Sequence, residues 1–295
     1  MAFRPDYTID QAFVRLSARQ PVRWAKVWMR ERVRPHDHEF TEICLILKGR
    51  GLHVSEDGIL PLQPGQILIM PKGSVHAFEK PEEAEAVNIY YLAEWFLPEL
   101  RLDGAGDGLL PLFFPEALSG RKTGFPIHEF LMEVGALEHI VRELQDLENL
   151  AGQDPPSRWI SSCFFKVLLL LANGYRRQTT MPLARAIAPV IWRAVAEMDG
   201  LVNSGQKLDL AQLARKLGLT RDHLGRLFRE EVGETPTSFY QRRRLQFVCR
   251  LLLRSDSSLA EIAHRFGYVD EAHMCRVFRE HWSMTPGNYR KKFSA

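Results

Sequence analysis

Four cysteines in 295 residues are too few, and too scattered, to make a covalent framework. Cys44, Cys163, Cys249 and Cys275 stand far apart and form no CxxC pair. That argues against a disulfide scaffold and a cysteine zinc site, and makes the reducing cytoplasm the expected compartment. Long apolar runs are missing too. The most apolar stretch, Cys163 to Ala172, is broken by Lys166 and is too short to span a bilayer. A buried helix is expected there, and no membrane partner. The first residues carry Arg4, Asp6 and Asp10 and have no apolar core of signal-peptide length. With 45% hydrophobic and 25% charged residues, the composition is neither collagenous nor disordered. The chain has room for two ordinary domains.

The net charge of +3 hides an asymmetry. From Leu201 onward there are 17 Lys and Arg against 10 Asp and Glu, a net +7, which leaves −4 on the rest. A polyanionic partner would meet the last third of the chain.

That third contains a repeat. Leu210, Leu213, Ala214, Leu217, Gly218 and Leu219 recur 49 positions later as Leu259, Ile262, Ala263, Phe266, Gly267 and Tyr268. His223, Leu224, Arg226, Phe228, Arg229, Glu230, Thr235 and Pro236 recur 50 positions later as His273, Met274, Arg276, Phe278, Arg279, Glu280, Thr285 and Pro286. The one-residue slip falls in a turn. Each copy reads as helix, tight turn, helix. Asp209 and a Ser258/Glu261 capping box start the first helices, and Gly218 and Gly267 stop them. Thr220 and Asp270 cap the second helices, and Gly233 ends the first of these. Thr235-Pro236 and Thr285-Pro286 open the helices that follow.

One face of each second helix is apolar: Leu224, Leu227 and Phe228 in the first copy, Met274, Val277 and Phe278 in the second. The opposite face carries Asp222, Gly225, Arg226 and Arg229, matched by Ala272, Cys275, Arg276 and Arg279. Small residues allow close approach to a major groove, and arginines donate to guanine or phosphate. Double-stranded DNA is the expected partner. A helix from Ser238 to Arg254, basic at Arg242-Arg243-Arg244, would hold the two recognition helices about one DNA turn apart.

Ile262-Ala263, Phe266-Gly267-Tyr268, Arg276-Val277-Phe278-Arg279 and Thr285-Pro286-Gly287-Asn288-Tyr289-Arg290 resemble the AraC/XylS family of transcription regulators. The resemblance implies base reading from Asp222, Gly225 and Arg226, and from Glu271, Ala272, Cys275 and Arg276. Gly225 departs from the pattern by offering no side chain. Activation through RNA polymerase and self-association as a homodimer are also what the resemblance implies.

From Val22 to Tyr91 short β-rich runs alternate with turn residues: Val22–Trp28, Thr41–Leu47, Gly51–Ser55, Gln66–Met70 and Ala86–Tyr91. Lys48-Gly49, Glu56-Asp57-Gly58 and Pro64-Gly65 suit hairpins, and the spacing suggests a sandwich or barrel. His36, His38, Glu42 and Gly49 form HxHx3E followed by x6G, and Gly65, Pro71, Gly73 and His76 form Gx5PxGx2H. Both resemble the motifs of the cupin family, although Lys80 stands where an asparagine is common. His36, His38 and Glu42 share strand parity. Three imidazoles and a carboxylate suit Zn, Mn, Fe or Ni with positions left open. The same groups also suit the hydroxyls of a bound small molecule, since regulatory cupins resembling this one commonly hold a sugar without metal chemistry. No cofactor is required on that second reading. Trp24 and Trp28 share a strand face on which a sugar ring could stack. The Cys44-to-His53 stretch and Asn88-Ile89-Tyr90-Tyr91 are similar to regulators of rhamnose- or arabinose-type operons.

Leu137, Ile140, Leu144, Leu147 and Ala151 form a short apolar seam, either a dimerising coiled coil or a face packed on the barrel. A helix from Arg158 to Tyr175 follows the Asp154-Pro155-Pro156 break. A linker from Arg177 to Leu183 then precedes a helix from Ile187 to Met198 that ends at Gly200. The expected architecture is α+β and multidomain: a cupin-like effector-binding barrel over 1–125, a helical dimerisation and linker segment over 126–183, and an all-α domain with two helix-turn-helix units over 184–295. The expected function is sequence-specific regulation of a metabolic operon by a small molecule, a sugar, with no catalysis.

Overall fold

The computed structural model describes residues 3–97, 112–117, 119, 124–153, 157–178 and 188–294. They fall into two compact units: residues 3–93, 112–115, 124–153 and 157–178 form the first, and 94–97, 116–117, 119 and 188–294 the second.

In the first unit β1 (Tyr7–Ile9), β2 (Val22–Met29), β3 (Val33–His38), β4 (Thr41–Ser55), β5 (Gly58–Leu62), β6 (Gln66–Met70), β7 (His76–Tyr91) and β8 (His128–Leu131) make one sheet. Its order is β1-β3-β7-β4-β6-β8, with β2 also on β7 and β5 also on β4. The sheet is rolled. Glu42 pairs with Tyr90 at one end of β7 and Ser55 with His76 at the other, yet the chemistry at both ends converges. His38, whose ring lies 4.9 Å from that of His76, comes within 3.0 Å of the Glu42 carboxylate. The Glu56-Asp57 turn joins β4 to β5 as expected. Lys48-Gly49 does not turn the chain. It is an irregularity inside β4, where the register against β7 shifts repeatedly between Ile46 and Leu52. Gly49 has φ 77°, and a Cβ there would overlap the Glu83 carbonyl oxygen. A close backbone approach, not a hairpin, requires this glycine.

The helices of this unit are α1 (Ala93–Phe96), which also enters the second unit, α2 (Val134–Ala151) and α3 (Ser157–Gln178). The boundary expected at 125 moves, because β8 lies beyond it and pairs with β6. The apolar seam of α2 is not a free dimer surface either. Leu137, Ile140, Leu144 and Leu147 are buried within the chain, and Lys166 ties α3 to Glu143 of α2 at 2.6 Å. A three-four apolar spacing is satisfied by any apolar partner, and here the chain supplies it. Helix α3 runs to Gln178, past the expected start of the linker. Residues 154–156 and 179–187 lie outside the described residues.

The second unit is helical: α4 (Pro189–Asn203), α5 (Leu210–Lys216), α6 (Arg221–Val232), α7 (Pro236–Arg254), α8 (Leu259–Arg265), α9 (Glu271–Trp282) and α10 (Pro286–Phe293). Helix α4 continues through Gly200 and stops at Ser204, where Gly205 takes φ 69°. The repeat is visible in its caps. Asp209 accepts from the amides of Ala211 and Gln212, and Ser258 and Glu261 form a reciprocal box. Thr220 and Asp270 accept from His223 and His273 at 3.2 and 2.7 Å. Thr235 and Thr285 do the same for Ser238 and Asn288. Gly218, Gly233 and Gly267 all have positive φ. Among the described residues no helix is long and apolar enough to cross a membrane.

Candidate functional site

Two regions carry chemistry. In the second unit α6 and α9 bury the same face, Leu224 and Phe228 in one and Met274 and Phe278 in the other. That burial turns the opposite face outward. Asp222, Arg226, Arg229, Glu271, Ala272, Arg276 and Arg279 are exposed, and Gly225 and Cys275 are half-buried. Arg226 makes a 3.1 Å surface pair with Glu230. An exposed i,i+4 pair contributes only about 0.3–0.5 kcal/mol, so the guanidinium is released easily to another acceptor. A Cβ at Gly225 would meet nothing within 4 Å, so packing inside the chain does not require this glycine.

The arginine run of α7 faces the other way. Arg243 is fully buried, bound to both carboxylate oxygens of Asp199 at 2.8 Å and to Gln246. Arg244 donates to the Phe266 carbonyl and lies 3.9 Å over the Tyr268 ring. Arg242 pairs with Glu234. These cations hold the unit together, and the +7 count overstates the charge available outside. The segment after β7 joins this network: Trp95 Nε1 donates to the Tyr289 hydroxyl at 2.9 Å, and Arg243 donates to the Leu97 carbonyl.

In the first unit β3 brings His36 and His38 together, β7 adds His76, and β4 adds Glu42. All four are buried. Glu42 does not share a strand with the histidines, as parity had suggested. The chain bends at Glu39-Phe40, and Glu42 returns on β4 to place Oε2 3.0 Å from His38 Nε2. The Nδ1 atoms of His36, His38 and His76 lie 3.0, 3.3 and 3.2 Å from the carbonyls of Arg34, Phe40 and Ser74. A carbonyl only accepts, so Nδ1 of His36 and of His76 carries the proton and their Nε2 atoms present lone pairs, whereas His38 has an acceptor at each ring nitrogen, the Phe40 carbonyl and the Glu42 carboxylate. The Nε2 atom of His76 is buried without a hydrogen-bond partner, and one ring nitrogen from each of the three histidines lies within 4.8 Å of the others. That space admits a single ion or water, not a sugar ring. Burial, and for His76 the neighbouring imidazoles, hold His36 below and His76 well below the ordinary histidine range. Neutral imidazoles with fixed tautomers, as at His36 and His76, are what a divalent cation needs.

The sequence reading missed His53. It is fully buried, neither ring nitrogen has a partner, and its ring is 5.6 Å from that of His76. Burial lowers its pKa to about 4. The irregularity at Gly49 shifts the parity of β4, so counting by twos from Glu42 does not find it. Asn88 and Tyr90 were missed as site residues as well. They pair with Cys44 and Glu42 and share their inward face, and Asn88 Oδ1 is buried without a partner. Trp24 and Trp28 face the other way, which corrects their expected role beside a ligand. They oppose Ile89 and Glu85 on β7, the face opposite Ala84, Ala86 and Asn88. Trp28 is 58% exposed, and Trp24 borders a depression with Leu147 and Ile160 of the covering helices.

Comparison with known proteins gives one family match in each half of the chain. Residues 27–146 match the AraC-like ligand binding domain family, and residues 213–292 match a helix-turn-helix domain family. The HTH-type transcriptional activator RhaR of Yersinia pestis bv. Antiqua (strain Angola) is 27% identical over 282 residues, covering 94% of this chain and 91% of that protein. The protein of the same name from Mannheimia succiniciproducens is 24% identical over 267 residues, covering 88% and 87%. A solved structure of ToxT from Vibrio cholerae, with an unsaturated fatty acid bound, is 11% identical. It covers 92% of this chain and 95% of that one, with a TM-score of 0.44.

Proposed function

We propose that the chain is a DNA-binding regulator of the AraC family that activates transcription of a metabolic operon in response to a sugar held inside the rolled sheet. The observation that carries this reading is the duplicated recognition helix, with the same caps, the same buried face and an exposed arginine at Arg226 and Arg276. Asp222, Gly225, Arg229, Glu271, Ala272, Cys275 and Arg279 complete the two DNA-facing surfaces. The chain acts as a homodimer in the cytoplasm, where DNA and RNA polymerase are met, and catalyses nothing.

The polar groups on the inward face support a hydroxyl-rich effector: Glu42, Asn88 and Tyr90, with the unpartnered nitrogens of His53. Beside them His36, His38 and His76, with Glu42 next to His38, fit one divalent cation of the Zn, Mn, Fe or Ni class, because a ring nitrogen of each histidine converges on one point. A cation there would neutralise the Glu42 carboxylate and polarise an effector hydroxyl. Effector binding then alters DNA occupancy by its differential affinity for two arrangements of the protein. Strand β7 offers a short covalent route, since it carries Asn88 and Tyr90 and the chain enters the helical unit at Glu94.

The test is a thermal-shift screen of the full chain against monosaccharides, before and after chelator treatment, since a ligand of the folded state raises its midpoint. The expected result is a monosaccharide that raises the midpoint and changes a footprint on DNA upstream of the operon. A midpoint raised by metal alone, with measurable turnover, would replace this reading with an enzymatic one.

A further inference from the structure

We propose that the second helix-turn-helix unit reads thymine through the C5 methyl group of the base, using Val269 and Ala272 beside Arg276. The inference rests on the DNA-binding reading above and adds the chemistry of one half-site.

The two units differ in their turns. Leu219 and Tyr268 hold equivalent places, each donating its amide 2.9 Å to the carbonyl of the matching alanine, Ala214 or Ala263. Thr220 follows Leu219 directly as the cap of α6. In the second unit one more residue, Val269, stands between Tyr268 and the cap Asp270. Val269 is 77% exposed. Single exposed apolar residues are ordinary, but this one is the residue inserted immediately before the recognition helix. The spacing continues its character inward. Ala272 lies three residues on and is exposed, and Cys275 lies three further on and is half-buried beside the exposed Arg276. Val269 in the turn before the cap, followed by Ala272 and Cys275 on α9, therefore makes a short apolar edge in sequence order that leads to the arginine.

The first unit has no such edge. The places of Ala272 and Cys275 are taken there by Asp222, an acceptor, and Gly225, which has no side chain. A major groove offers hydrogen-bonding groups at every base pair and a single apolar group, the methyl of thymine. An apolar edge gains nothing against the donors and acceptors of a guanine–cytosine pair, and it removes water from a methyl. The geometry therefore fits a thymine next to the guanine taken by Arg276. The first unit, lacking the edge, is indifferent to that methyl.

The test uses the full chain and needs no known operator. Bound duplexes are selected from a random-sequence pool, and the winning duplex is remade with deoxyuridine in place of each thymidine in turn, which removes one methyl. Uracil next to the guanine whose requirement disappears in Arg276→Ala is expected to weaken binding about threefold to fivefold. Val269→Ala, at an exposed position that the fold does not use, is expected to lose most of that sensitivity while binding the uracil duplex as the wild type does. Full tolerance of uracil at every position overturns the inference and leaves the DNA-reading function standing, as does unchanged sensitivity in Val269→Ala. A selection that enriches no sequence overturns both.

Discussion

In the helical unit, the arginines assigned to DNA stay in water, and the ion pair that Arg226 makes with Glu230 is exposed. In the rolled sheet four imidazoles and a carboxylate have been taken out of water, and several of their atoms have no partner. The first arrangement costs the fold little and leaves the cations free for phosphate and guanine. The second is costly unless something enters, because buried polar groups without partners destabilise the fold by about 1–3 kcal/mol each. A surface that waits for a large polyanion can be solvated until it meets one. A site for a small ligand has to exclude water first.

This contrast can be broken most sharply by removing both recognition arginines. Arg226→Ala with Arg276→Ala should cost about 1–3 kcal/mol of DNA binding at each position. Selective binding in a competition assay would disappear, and the thermal midpoint would be unchanged. Retained sequence preference would mean that the outward faces of α6 and α9 are not the reading faces. The buried side of the contrast responds to acid instead. His53, held down to about 4 by burial, is neutral in the fold but takes up a proton in the unfolded chain below about 6.5. The unfolded state then binds more protons, so stability falls as the pH drops from about 6.5 and levels off near 4. The full loss is on the order of 3 kcal/mol. Urea unfolding of chelator-treated protein at pH 7 and pH 5 should show it, and His53→Phe should flatten the slope. A third, smaller effect tests the local signals. Asp270→Ala removes the acceptor of the His273 amide and should lower stability by about 1 kcal/mol, with no change in effector response.

The two regions also differ in how far the sequence revealed them. Helical caps are local, so Asp209, Ser258, Thr220, Asp270 and the positive-φ glycines stood out by spacing, and the structure places each of them as read. The inward face of the sheet is set by long-range register. His36, His38, Glu42 and His76 were found because motif spacing marks them. His53 was hidden by the irregularity at Gly49. Asn88 and Tyr90 are inward only because β7 pairs with β4, and Trp24 and Trp28 point away for the same reason. The seam of α2 shows a different limit: apolar periodicity reveals that a face is covered but not by which partner. Likewise the Arg242-Arg243-Arg244 run was legible only as the basic part of a connecting helix, and the placement of Asp199, Glu234 and the Phe266 carbonyl shows that it is internal.

Gly225 gives the smallest and most discriminating effect, because stability and binding should move in opposite directions there. It lies in the middle of α6, with open space where a Cβ would be. Glycine in a helix interior is less favourable than alanine by about 0.5–1 kcal/mol, mostly through the freedom the unfolded chain loses. Gly225→Ala should therefore raise the thermal midpoint slightly. If the glycine is there to let the helix backbone approach a base pair, the added methyl meets DNA, and specific affinity falls while stability rises. A variant that gains in both would show that α6 stands off from the groove at this point, leaving Arg226 and Arg229 to reach DNA by their own length. The reading surface of the first unit would then be narrower than that of the second.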